Sequence, residues 1–501
     1  MINGTDIELN EEWKTTFNTA YEALGGMGER VLGFCDLLLD PNEYPEDYVF
    51  DSENVTSFPP KKLRFLGFIS MIDPPKPSVP EAVAKCHTAG IKVFMVTGDH
   101  PITAKAIAKA VGIIKGETKE DKAKRLGIPV NQVDTSDIRA VVINGGQLLQ
   151  MTKSEFREIL SKNDEIVFAR TSPQQKLLIV EACQETGVLV GVTGDGVNDS
   201  PAMRKADIGI SMGITGSEVS KNVADMVLLD DNFATIVCGI EEGRLIFDNV
   251  SKIIQYSFTK NIAQLSPLIL SLITAIPLAI TAITVLCVDL GTDVLPSVSL
   301  SYERAEKGIM KRKPRDPKRD KMTNSKLVSI CYGQVGLIEA AGGLFTYMVC
   351  MAESGWWPSK LLGLRLYWDS IYINDMRDSF GAEWTYDQRH TLLNAGHASF
   401  YVGIVICQLA NLFFCKTKRV SVFQHGIKNM VLNAVVFGNI ALACLLIYTP
   451  GLNEGLGFYP ILFLNWLPPL AFAAYVFAYG EILKLLARKF PRSFFANNLI
   501  L

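Results

Sequence analysis

Three polar segments in the first half of the chain carry residue types that phosphoryl chemistry needs. The sequence reads TGD at 97–99 and TGDGVND at 193–199, and Lys176 begins a helical pattern after Thr-Ser-Pro at 171–173. Glycines let a backbone approach phosphate closely, hydroxyls and carboxylates hold phosphoryl oxygens and Mg²⁺, and a lysine stabilises charge in transfer. A single TGD is weak support, because Gly-Asp turns are common, but the three segments together indicate a phosphate site.

A second polar group lies in the apolar half of the chain. Asp289 and Asp293 are four residues apart in a predicted helix and share one face, with Gly291 between them to loosen the helix. Carboxylates inside a membrane usually line an ion path, and the alternative is a structural pair satisfied by backbone or water. Lys260 and Gln264 have the same spacing one helix earlier. The lysine either neutralises an aspartate or extends toward the membrane surface.

The elements that position the phosphate segments are apolar, β-branched runs alternating with helical patterns. The predicted strands are 91–96, 141–143, 166–168, 188–192 and 208–210. A helix is predicted over 101–111, with proline in its first turn. This alternation predicts an α/β fold with a doubly wound parallel sheet, whose ligands bind at the carboxyl ends of the strands. TGD and TGDGVND follow two of those ends.

Long uncharged runs in the second half predict an all-α membrane domain in the lipid bilayer. A span needs about 20 apolar residues, and the uncharged run 261–288 with its continuation to 301 is long enough for two helices. The six predicted transmembrane helices are about 261–280, 283–301, 327–352, 396–415, 429–449 and 459–480.

Charge in the loops predicts the orientation of these helices. The loop 303–326 holds ten Lys or Arg residues and 416–428 holds four, whereas 353–397 has four basic and six acidic residues. The first two loops are therefore expected in the cytosol. With six spans, both termini lie on that same side, including a cytosolic tail over 486–501.

Composition excludes several other classes of protein. The net charge of −3 gives no electrostatic case for nucleic acid. Ten cysteines show no CxxC pair and no metal-ligand spacing, so we expect reduced thiols. The glycosylation sequons at Asn3 and Asn54 lie in the charged half and are expected to stay unused. The polar N-terminus has no signal-peptide pattern, so membrane insertion is expected from internal helices.

The phosphate segments resemble the haloacid dehalogenase-like (HAD-like) phosphorylation domain of P-type ATPases. The resemblance rests on TGD, on TGDGVNDSPA at 193–202, and on Asp-Pro-Pro at 73–75, which is similar to the hinge entering that domain. VLCVDLGTDVLP at 285–296 and Met-Lys-Arg at 310–312 are similar to the sodium/potassium and gastric proton/potassium pumps. The family works by ATP hydrolysis through an aspartyl phosphate, with Mg²⁺, to move monovalent cations across the plasma membrane.

The resemblance implies a role for each matching polar residue of the first half. Asp195 would bind Mg²⁺ with Asp199 behind it, Lys176 would contact the aspartyl phosphate, and Thr97 would hold a phosphate oxygen. Arg30, a surface charge by position alone, matches an arginine that reaches the phosphate of ATP. The implied catalytic residues are Thr97, Gly98, Asp99, Lys176, Asn198 and Asp199.

The resemblance also implies cation ligands and a partner protein. The implied cation-transport residues are Tyr256, Lys260, Asn261, Gln264, Asp289, Asp293 and Gln408. The outer stretch 379–384 resembles the loop that docks a single-span, glycosylated β subunit, and without the family it would be a plain loop. The implied contact residues are Ser379, Phe380, Gly381, Ala382, Glu383 and Trp384.

The sequence departs from the family in both halves. No DKTG motif occurs, so the aspartate that these pumps phosphorylate is missing, and we expect a fragment of a longer pump that is inactive alone. Lys260 stands where the sodium pump has serine and the gastric pump has lysine, and Gln264 where both have glutamate. Asn411 replaces an aspartate of the sodium pump. Glu339 has no acidic counterpart in either pump, and we expect it to serve packing.

Two functions of different classes remain open. The first is the C-terminal part of a cation pump: a nucleotide-domain remnant over 1–66, a HAD-like domain over 67–250, and a transmembrane domain over 251–485. The second is a non-catalytic regulator derived from a pump, which the lost carboxylates favour and the intact phosphate segments oppose. Ion identity and stoichiometry stay open, and a third sodium site is not expected.

Overall fold

Two compact units make up the computed structural model, which describes residues 7–42, 44–45, 48, 50, 63–134, 137–316 and 320–490. Contacts within the chain divide it into Met1–Ile240 with Met310–Pro314, called here the α/β unit, and Glu241–Ile309 with Arg315–Leu501, called the helical unit. The sequons at Asn3 and Asn54 and the last eleven residues of the predicted tail, 491–501, lie outside the described residues.

Eight strands and their flanking helices form the described part of the α/β unit. The strands are β1 Arg30–Asp36, β2 Arg64–Met71, β3 Met95–Val96, β4 Ala140–Asn144, β5 Glu165–Ala169, β6 Gly191–Gly194, β7 Ile208–Met212 and β8 Met226–Leu228. The helices are α1 Glu11–Gly26, α2 Val79–Thr88, α3 Pro101–Ala110, α4 Lys119–Leu126, α5 Gly145–Gln150, α6 Lys153–Lys162, α7 Pro173–Glu185, α8 Ser200–Lys205 and α9 Glu218–Val223.

The predicted parallel pairing is present, but it is divided between two sheets. The described strands pair in the orders β3-β5-β4 and β6-β7-β8, both parallel, and β1 pairs with β2 antiparallel. The strand predicted over 91–96 forms only at Met95–Val96. The single doubly wound sheet and the HAD-like assignment therefore remain predictions.

Strand β5 lies at the centre of the first sheet and is buried on both faces. Its side chains alternate: Val167 and Ala169 pack with α3, whereas Ile166 and Phe168 pack with α6 and α7. All four are 0% exposed. Burying a side chain such as that of Phe168 contributes about 1.5–3 kcal/mol, so helices on both faces hold the strand ends in fixed positions.

Long apolar helices dominate the helical unit. Helix α10 Phe233–Thr274 begins in the α/β unit and continues into this one. The other helices are α11 Ala282–Leu286, α12 Val294–Ser301, α13 Ser325–Ile330, α14 Gly336–Glu353, α15 Pro358–Leu361, α16 Arg365–Trp368, α17 Tyr386–Lys416, α18 Val422–His425, α19 Met430–Tyr448, α20 Leu452–Leu456 and α21 Pro468–Lys489. The strands β9 Met376–Arg377 and β10 Glu383–Trp384 form a small antiparallel pair.

Five helical segments among the described residues are long and apolar enough to cross a membrane. They are Ala282–Ser301, Ser325–Glu353, Tyr386–Lys416, Met430–Tyr448 and Phe463–Lys489. The remaining predicted span, 261–280, falls on α10, whose polar residues lower its hydropathy. Helix α10 ends at Thr274, before the predicted end, and Ala275 follows it with a left-handed φ of 51°. The count of six therefore stays a prediction.

Helix α17 is the most buried of these segments. In its most apolar window 78% of the residues are buried, against 22% for α19. Glycines let α14 approach it: a Cβ on Gly403 would lie 2.9 Å from Cα of Gly343. Membrane helices associate through such small residues, because lipid offers no hydrophobic driving force between them. Polar side chains on α17 are consequently held inside the bundle.

Candidate functional site

The TGD loop after β3 is fixed by hydrogen bonds to itself and to the segment after β5. The hydroxyl of Thr97 donates to Asp99 Oδ2 over 3.0 Å and accepts from the Asp99 N–H over 3.1 Å. The carbonyl of Thr97 accepts from the hydroxyl of Thr171 over 3.1 Å, and the N–H of Arg170 donates to the Asp99 carbonyl over 3.0 Å. Gly98 lies exposed between them. The predicted loop is thus preorganised by its neighbours.

Lys176 is placed beside the second motif by the start of α7. Ser172 caps this helix in a capping box with Gln175, and Pro173 occupies its first turn. The ammonium of Lys176 lies 2.6 Å from Asp199 Oδ1, and the two side chains are 19% and 17% exposed. Because both side chains are mostly buried, the ion pair of Lys176 with Asp199 keeps the lysine beside the TGDGVND loop.

The TGDGVND loop requires its first glycine for steric reasons. A Cβ on Gly194 would lie 2.4 Å from the Cβ of Asp199. The backbone carbonyl of Asp195 accepts from the Ser217 N–H over 2.8 Å and from the Ser220 hydroxyl over 3.0 Å. Asp195 and, after it, Asn198 are exposed. The loop backbone is therefore anchored, while the Asp195 side chain faces solvent.

The carboxylates of the TGDGVND loop would suffice to bind Mg²⁺ only together with a phosphate group. Within the described residues no group of three or more His, Cys, Asp or Glu side chains could hold a metal ion. Mg²⁺ commonly binds one or two carboxylates and completes its coordination with water and substrate phosphate. The exposed carboxylate of Asp195, with Asp199 nearby in sequence but paired to Lys176, matches that pattern.

Sequence reasoning missed two residues next to the TGD loop. His100 caps α3 by accepting the Ile102 N–H at Nδ1 over 3.4 Å. Its burial, and then the charge of Arg170, lower the pKa of His100 below its ordinary value. Arg170 itself has a left-handed φ of 52°, an uncommon conformation for a residue with a Cβ. The signal for His100 was its position between Asp99 and a proline at the first helical position.

Arg30 lies at the start of β1 and makes only a loose contact with the TGD loop. Its Nη2 is 3.9 Å from Asp99 Oδ1, and its side chain is 73% exposed. Exposed ion pairs of this kind contribute roughly 0–1 kcal/mol. Arg30 therefore remains available to another anion.

In the helical unit, the ammonium of Lys260 joins both predicted aspartates. It lies 2.5 Å from Asp293 Oδ2 and 3.0 Å from Asp289 Oδ1. Gln264 Nε2 donates to Asp289 Oδ1 over 2.8 Å. Lys260 could have extended toward the membrane surface or neutralised an aspartate, and in the structure its ammonium contacts both aspartates. The side chain of Lys260 is 14% exposed and that of Asp293 is 6% exposed.

The backbone around these aspartates is irregular at the place where Gly291 was expected to loosen the helix. A π-helical turn spans Cys287–Asp293 between α11 and α12. The amide of Asn439 on α19 donates to the Thr292 carbonyl over 2.7 Å and so satisfies one acceptor in that turn. Such π-bulges are frequent at functional sites. Asp293 Oδ1 has no hydrogen-bond partner among the described residues.

The other predicted cation-transport residues are divided between two environments. Tyr256 and Gln408 are buried at 0% and 5% exposure, and Gln408 contacts Glu339 rather than the aspartates. Asn261 is exposed on α10. The structure therefore joins Lys260, Gln264 and the two aspartates, and leaves Asn261 outside that group.

The loop 379–384, predicted to be an outer loop, is organised by a residue that sequence reasoning missed. Asp378 Oδ1 accepts the N–H groups of Phe380 and Ala382, both at 2.9 Å, and its Oδ2 accepts the Trp384 indole N–H over 3.1 Å. Burial of the carboxylate raises its pKa, but these hydrogen bonds together outweigh that effect, so the pKa of Asp378 is lowered. The turn exposes Phe380 at 77%, with a φ of 88° at the next residue, Gly381.

Comparison with known proteins identifies relatives over nearly the whole chain. Residues 277–486 match the family model "Cation transporting ATPase, C-terminus", and residues 1–78 match "P-type ATPase, cytoplasmic domain N". The chain is 55% identical over 492 residues to a sodium/potassium-transporting ATPase subunit alpha-B of Artemia franciscana. It is 54% identical to the alpha subunit of Drosophila melanogaster and to the alpha-2 subunit of Gallus gallus. Each match covers 98% of this chain and 47–49% of the relative, so the chain spans about half their length.

Proposed function

This chain belongs to the family of cation-transporting P-type ATPases, and from that premise we propose that it is the C-terminal part of an ATP-driven pump for monovalent cations of the sodium/potassium or proton/potassium exchanging type. The observation that carries the proposal is the contact of the Lys260 ammonium with both Asp289 and Asp293. Intramembrane carboxylates arranged around a positive charge are typical of ion pathways.

In this proposal Lys260 acts as a tethered cation within the transport site. Its ammonium takes positions on Asp289 and Asp293 that a transported cation would otherwise fill. An entering Na⁺, K⁺ or proton therefore competes with a charge that cannot leave. This arrangement favours fewer transported cations per cycle than a site with a neutral residue at position 260.

The chain's phosphate site would serve an aspartyl phosphate supplied by a preceding segment. Strands β3 and β6, which lead into the two motifs, are both edge strands among the described residues. Edge strands present unpaired N–H and C=O groups that bind another strand. We propose that the strand carrying the family's phosphorylated aspartate pairs with these edges, which places the aspartate near Thr97, Lys176 and Asp195.

The residues of this chain have distinct tasks in such a site. Mg²⁺ at Asp195 would offset the charge of the phosphate, and ATP would supply the phosphoryl group. Lys176, held by Asp199, offers a positive charge to the transferring oxygens. Thr97 offers a hydroxyl whose orientation Asp99 controls. Arg30 is exposed and suited to contact a nucleotide phosphate.

A partner subunit and a membrane setting complete the proposal. The exposed turn at 379–384, fixed by Asp378, offers an aromatic side chain and a short strand pair to a single-span, glycosylated β subunit. By the charge rule, the basic loops 303–326 and 416–428 support a cytosolic position for both termini when six helices span the membrane. The compartment proposed is the plasma membrane.

Cation-stimulated ATP hydrolysis tests the proposed function. The transcript is sequenced to its 5′ end, its full product is expressed in membranes, and ATP hydrolysis is titrated with Na⁺ and K⁺. The expected result is an upstream DKTGT motif and cation-stimulated hydrolysis that Asp293→Asn lowers at least about tenfold, equivalent to ~1.4 kcal/mol. The exposed Asp387→Asn, outside the site, is the matched control. A product without DKTGT and without stimulated hydrolysis would contradict the proposal and favour the regulator.

A further inference from the structure

Asp231, two residues before helix α10, is a buried carboxylate that belongs to neither phosphate motif. The residue is 7% exposed and has a left-handed φ of 49°. Its Oδ1 accepts the N–H of Ile214 over 2.9 Å, and its Oδ2 accepts the N–H of Thr215 over 2.7 Å. Burial raises the pKa of Asp231, but these hydrogen bonds outweigh that effect and lower the pKa to about 2. Asp231 is therefore a charged clamp on the loop that follows β7.

The clamped loop, residues 213–217, leads directly to the backbone of Asp195. At its far end, the Ser217 N–H donates to the Asp195 carbonyl over 2.8 Å. The hydroxyl of Ser220, in the following helix α9, donates to the same carbonyl over 3.0 Å. Asp195 is the proposed Mg²⁺ ligand, so the backbone of this ligand is held by a loop whose other end is bonded to Asp231.

The loop has little room to flex between these two ends. A Cβ on Gly213 would lie 2.7 Å from the Leu228 carbonyl, and a Cβ on Gly216 would overlap the Met212 carbonyl. Only glycine fits at such close approaches of backbone to backbone. The N–H of Gly213 also donates to the Leu228 carbonyl over 2.8 Å. The hydrogen bonds at the two ends of the loop are therefore joined by a short, constrained backbone.

The backbone of Asp231 is in turn held by the segment that follows β2. Lys76, which comes directly after Asp-Pro-Pro at 73–75, donates from its ammonium to the Asp231 carbonyl over 2.8 Å. The Ser78 hydroxyl donates to Oδ1 of Asn232 over 2.8 Å. All of these residues belong to the α/β unit. A continuous series of hydrogen bonds therefore joins this segment to the TGDGVND loop.

Helix capping does not account for the contacts of Asp231. Its two neighbours bond the start of α10: Asn232 Oδ1 accepts the Ala234 N–H over 3.1 Å, and Asp230 Oδ2 accepts the Thr235 hydroxyl over 2.7 Å. Both carboxylate oxygens of Asp231 instead bond the loop after β7. The residue thus serves the loop rather than the helix that it precedes.

We propose that Asp231 is a positioning residue for the Mg²⁺ ligand Asp195, acting through the loop 213–217 and held in place by Lys76. The inference rests on the proposed pump function and adds to it a residue that touches neither Mg²⁺ nor phosphate. Mg²⁺ demands near-ideal octahedral geometry, so a carboxylate ligand needs a backbone held in one position. Removal of the clamp lets Asp195 move and weakens Mg²⁺ binding.

Hydrogen exchange of this 501-residue chain in lipid nanodiscs tests the link without ATP or Mg²⁺. Asp231→Ala is expected to speed amide exchange at least about tenfold both in 213–217 and in 193–199. Asp231→Asn keeps one acceptor oxygen and is expected to fall between that variant and the wild type. Asp230→Ala is the matched control, because its carboxylate bonds the start of the same helix and, within the described residues, has no hydrogen bond to either loop.

The decisive comparison is the exchange of 193–199 in the two alanine variants. Faster exchange there in Asp231→Ala than in Asp230→Ala would support the link, together with a smaller change in the same direction in Lys76→Met. Faster exchange confined to 213–217, or an equal effect of Asp230→Ala, would overturn the proposal and leave Asp231 as a local support of its own loop.

A Mg²⁺ titration of the full product of the transcript gives a readout that a merely structural role would not change. The Mg²⁺ concentration for half-maximal phosphorylation by ATP is expected to rise at least about tenfold in Asp231→Ala, with labelling at saturating Mg²⁺ close to that of the wild type. Lower maximal labelling at an unchanged Mg²⁺ requirement would indicate partial unfolding and contradict the assignment. If the wild-type product takes up no label, the pump function fails, and the exchange result alone decides the role of Asp231.

Discussion

The phosphate segments of the α/β unit and the charged group of the helical unit, both proposed here as sites for ions, are built in opposite ways. The phosphate segments lie on loops whose backbone is fixed by caps and turns, and Asp195 remains exposed. The charged group lies on helices, and its side chains fix one another: Lys260 contacts both Asp289 and Asp293. Backbone geometry therefore positions most of the first site, with one ion pair at Lys176 and Asp199, whereas charge pairing positions the second.

This difference indicates which kind of substitution should disturb each site most. In the α/β unit, water screens the exposed charges of Asp195 and Arg30, so changes of backbone shape should matter more there than changes of those charges. In the helical unit, the low dielectric makes any unpaired charge costly, so removal of one partner should matter most. Substitutions in the two units test whether this contrast holds.

The largest effect is expected from Lys260→Met, which leaves Asp289 and Asp293 without a cation. Breaking a buried ion pair costs about 3–5 kcal/mol, so the melting temperature in nanodiscs is expected to fall clearly. Lys360→Met, at an exposed lysine of α15, is the control. A melting temperature equal to that of the control would show that the lysine is dispensable and that water or bound ions neutralise the aspartates.

The next effect is expected from Gly194→Ala in the TGDGVND loop. Its Cβ would lie 2.4 Å from the Asp199 Cβ, and the displaced aspartate would release Lys176. Overpacking of this kind costs about 1–3 kcal/mol, to be measured by denaturant unfolding of the chain. Gly196→Ala is the matched control, because its Cβ would lie 3.8 Å from Asn198 N and from Asp199 Oδ2, at ordinary contact distance. Equal stability of the two variants would contradict the steric argument.

A smaller effect is expected from Ser172→Ala at the start of α7. The serine hydroxyl accepts the Gln175 N–H, and loss of such a cap costs about 1 kcal/mol, whereas glycine costs only a few tenths. Denaturant unfolding should therefore rank wild type above Ser172→Gly and that variant above Ser172→Ala. The reverse order for the two variants would show that the cap does not hold the helix that carries Lys176.

The smallest effect is expected from pH at His100. Burial, together with the Arg170 charge, lowers the pKa of His100 in the fold, so folding favours the neutral ring. Its contribution is complete above the unfolded pKa of about 6.5 and is lost as pH falls from there through the lower folded pKa. His100→Asn keeps a capping acceptor, and its stability between about pH 5 and 7 should vary less than that of wild type. Identical pH profiles would contradict this.

The sequence located the polar residues of both proposed sites along the chain better than it predicted the elements around them. TGD directly follows β3, and TGDGVND begins with the last two residues of β6, because a change from apolar to glycine-rich residues accompanies the end of each strand. The extent of α17 was harder to predict: it begins at Tyr386, ten residues before the predicted span. A capping box of Thr385 and Gln388 starts that helix within polar sequence, which a hydropathy pattern does not detect.

Other features depend on contacts between segments far apart in sequence. The π-helical turn at Cys287–Asp293 is bonded to Asn439, almost 150 residues later. The burial of Glu339 follows from close helix packing at glycines, and position in an apolar run does not show which face is buried. The predicted single sheet requires pairing beyond the described strands, so sequence periodicity alone could not determine it.

Formation of a phosphoenzyme tests the central claim most directly. The full product of the transcript is incubated with γ-labelled ATP and Mg²⁺, quenched in acid, and examined for a hydroxylamine-sensitive, acid-stable phosphate on the chain. We predict that the chain is labelled. Asp195→Asn is expected to lower the labelling at least about tenfold, equivalent to ~1.4 kcal/mol. The surface variant Asp137→Asn is expected to leave it unchanged. Absence of labelling in a correctly folded full product, or labelling unaffected by Asp195→Asn, would contradict the assignment of this chain to the working half of a cation pump.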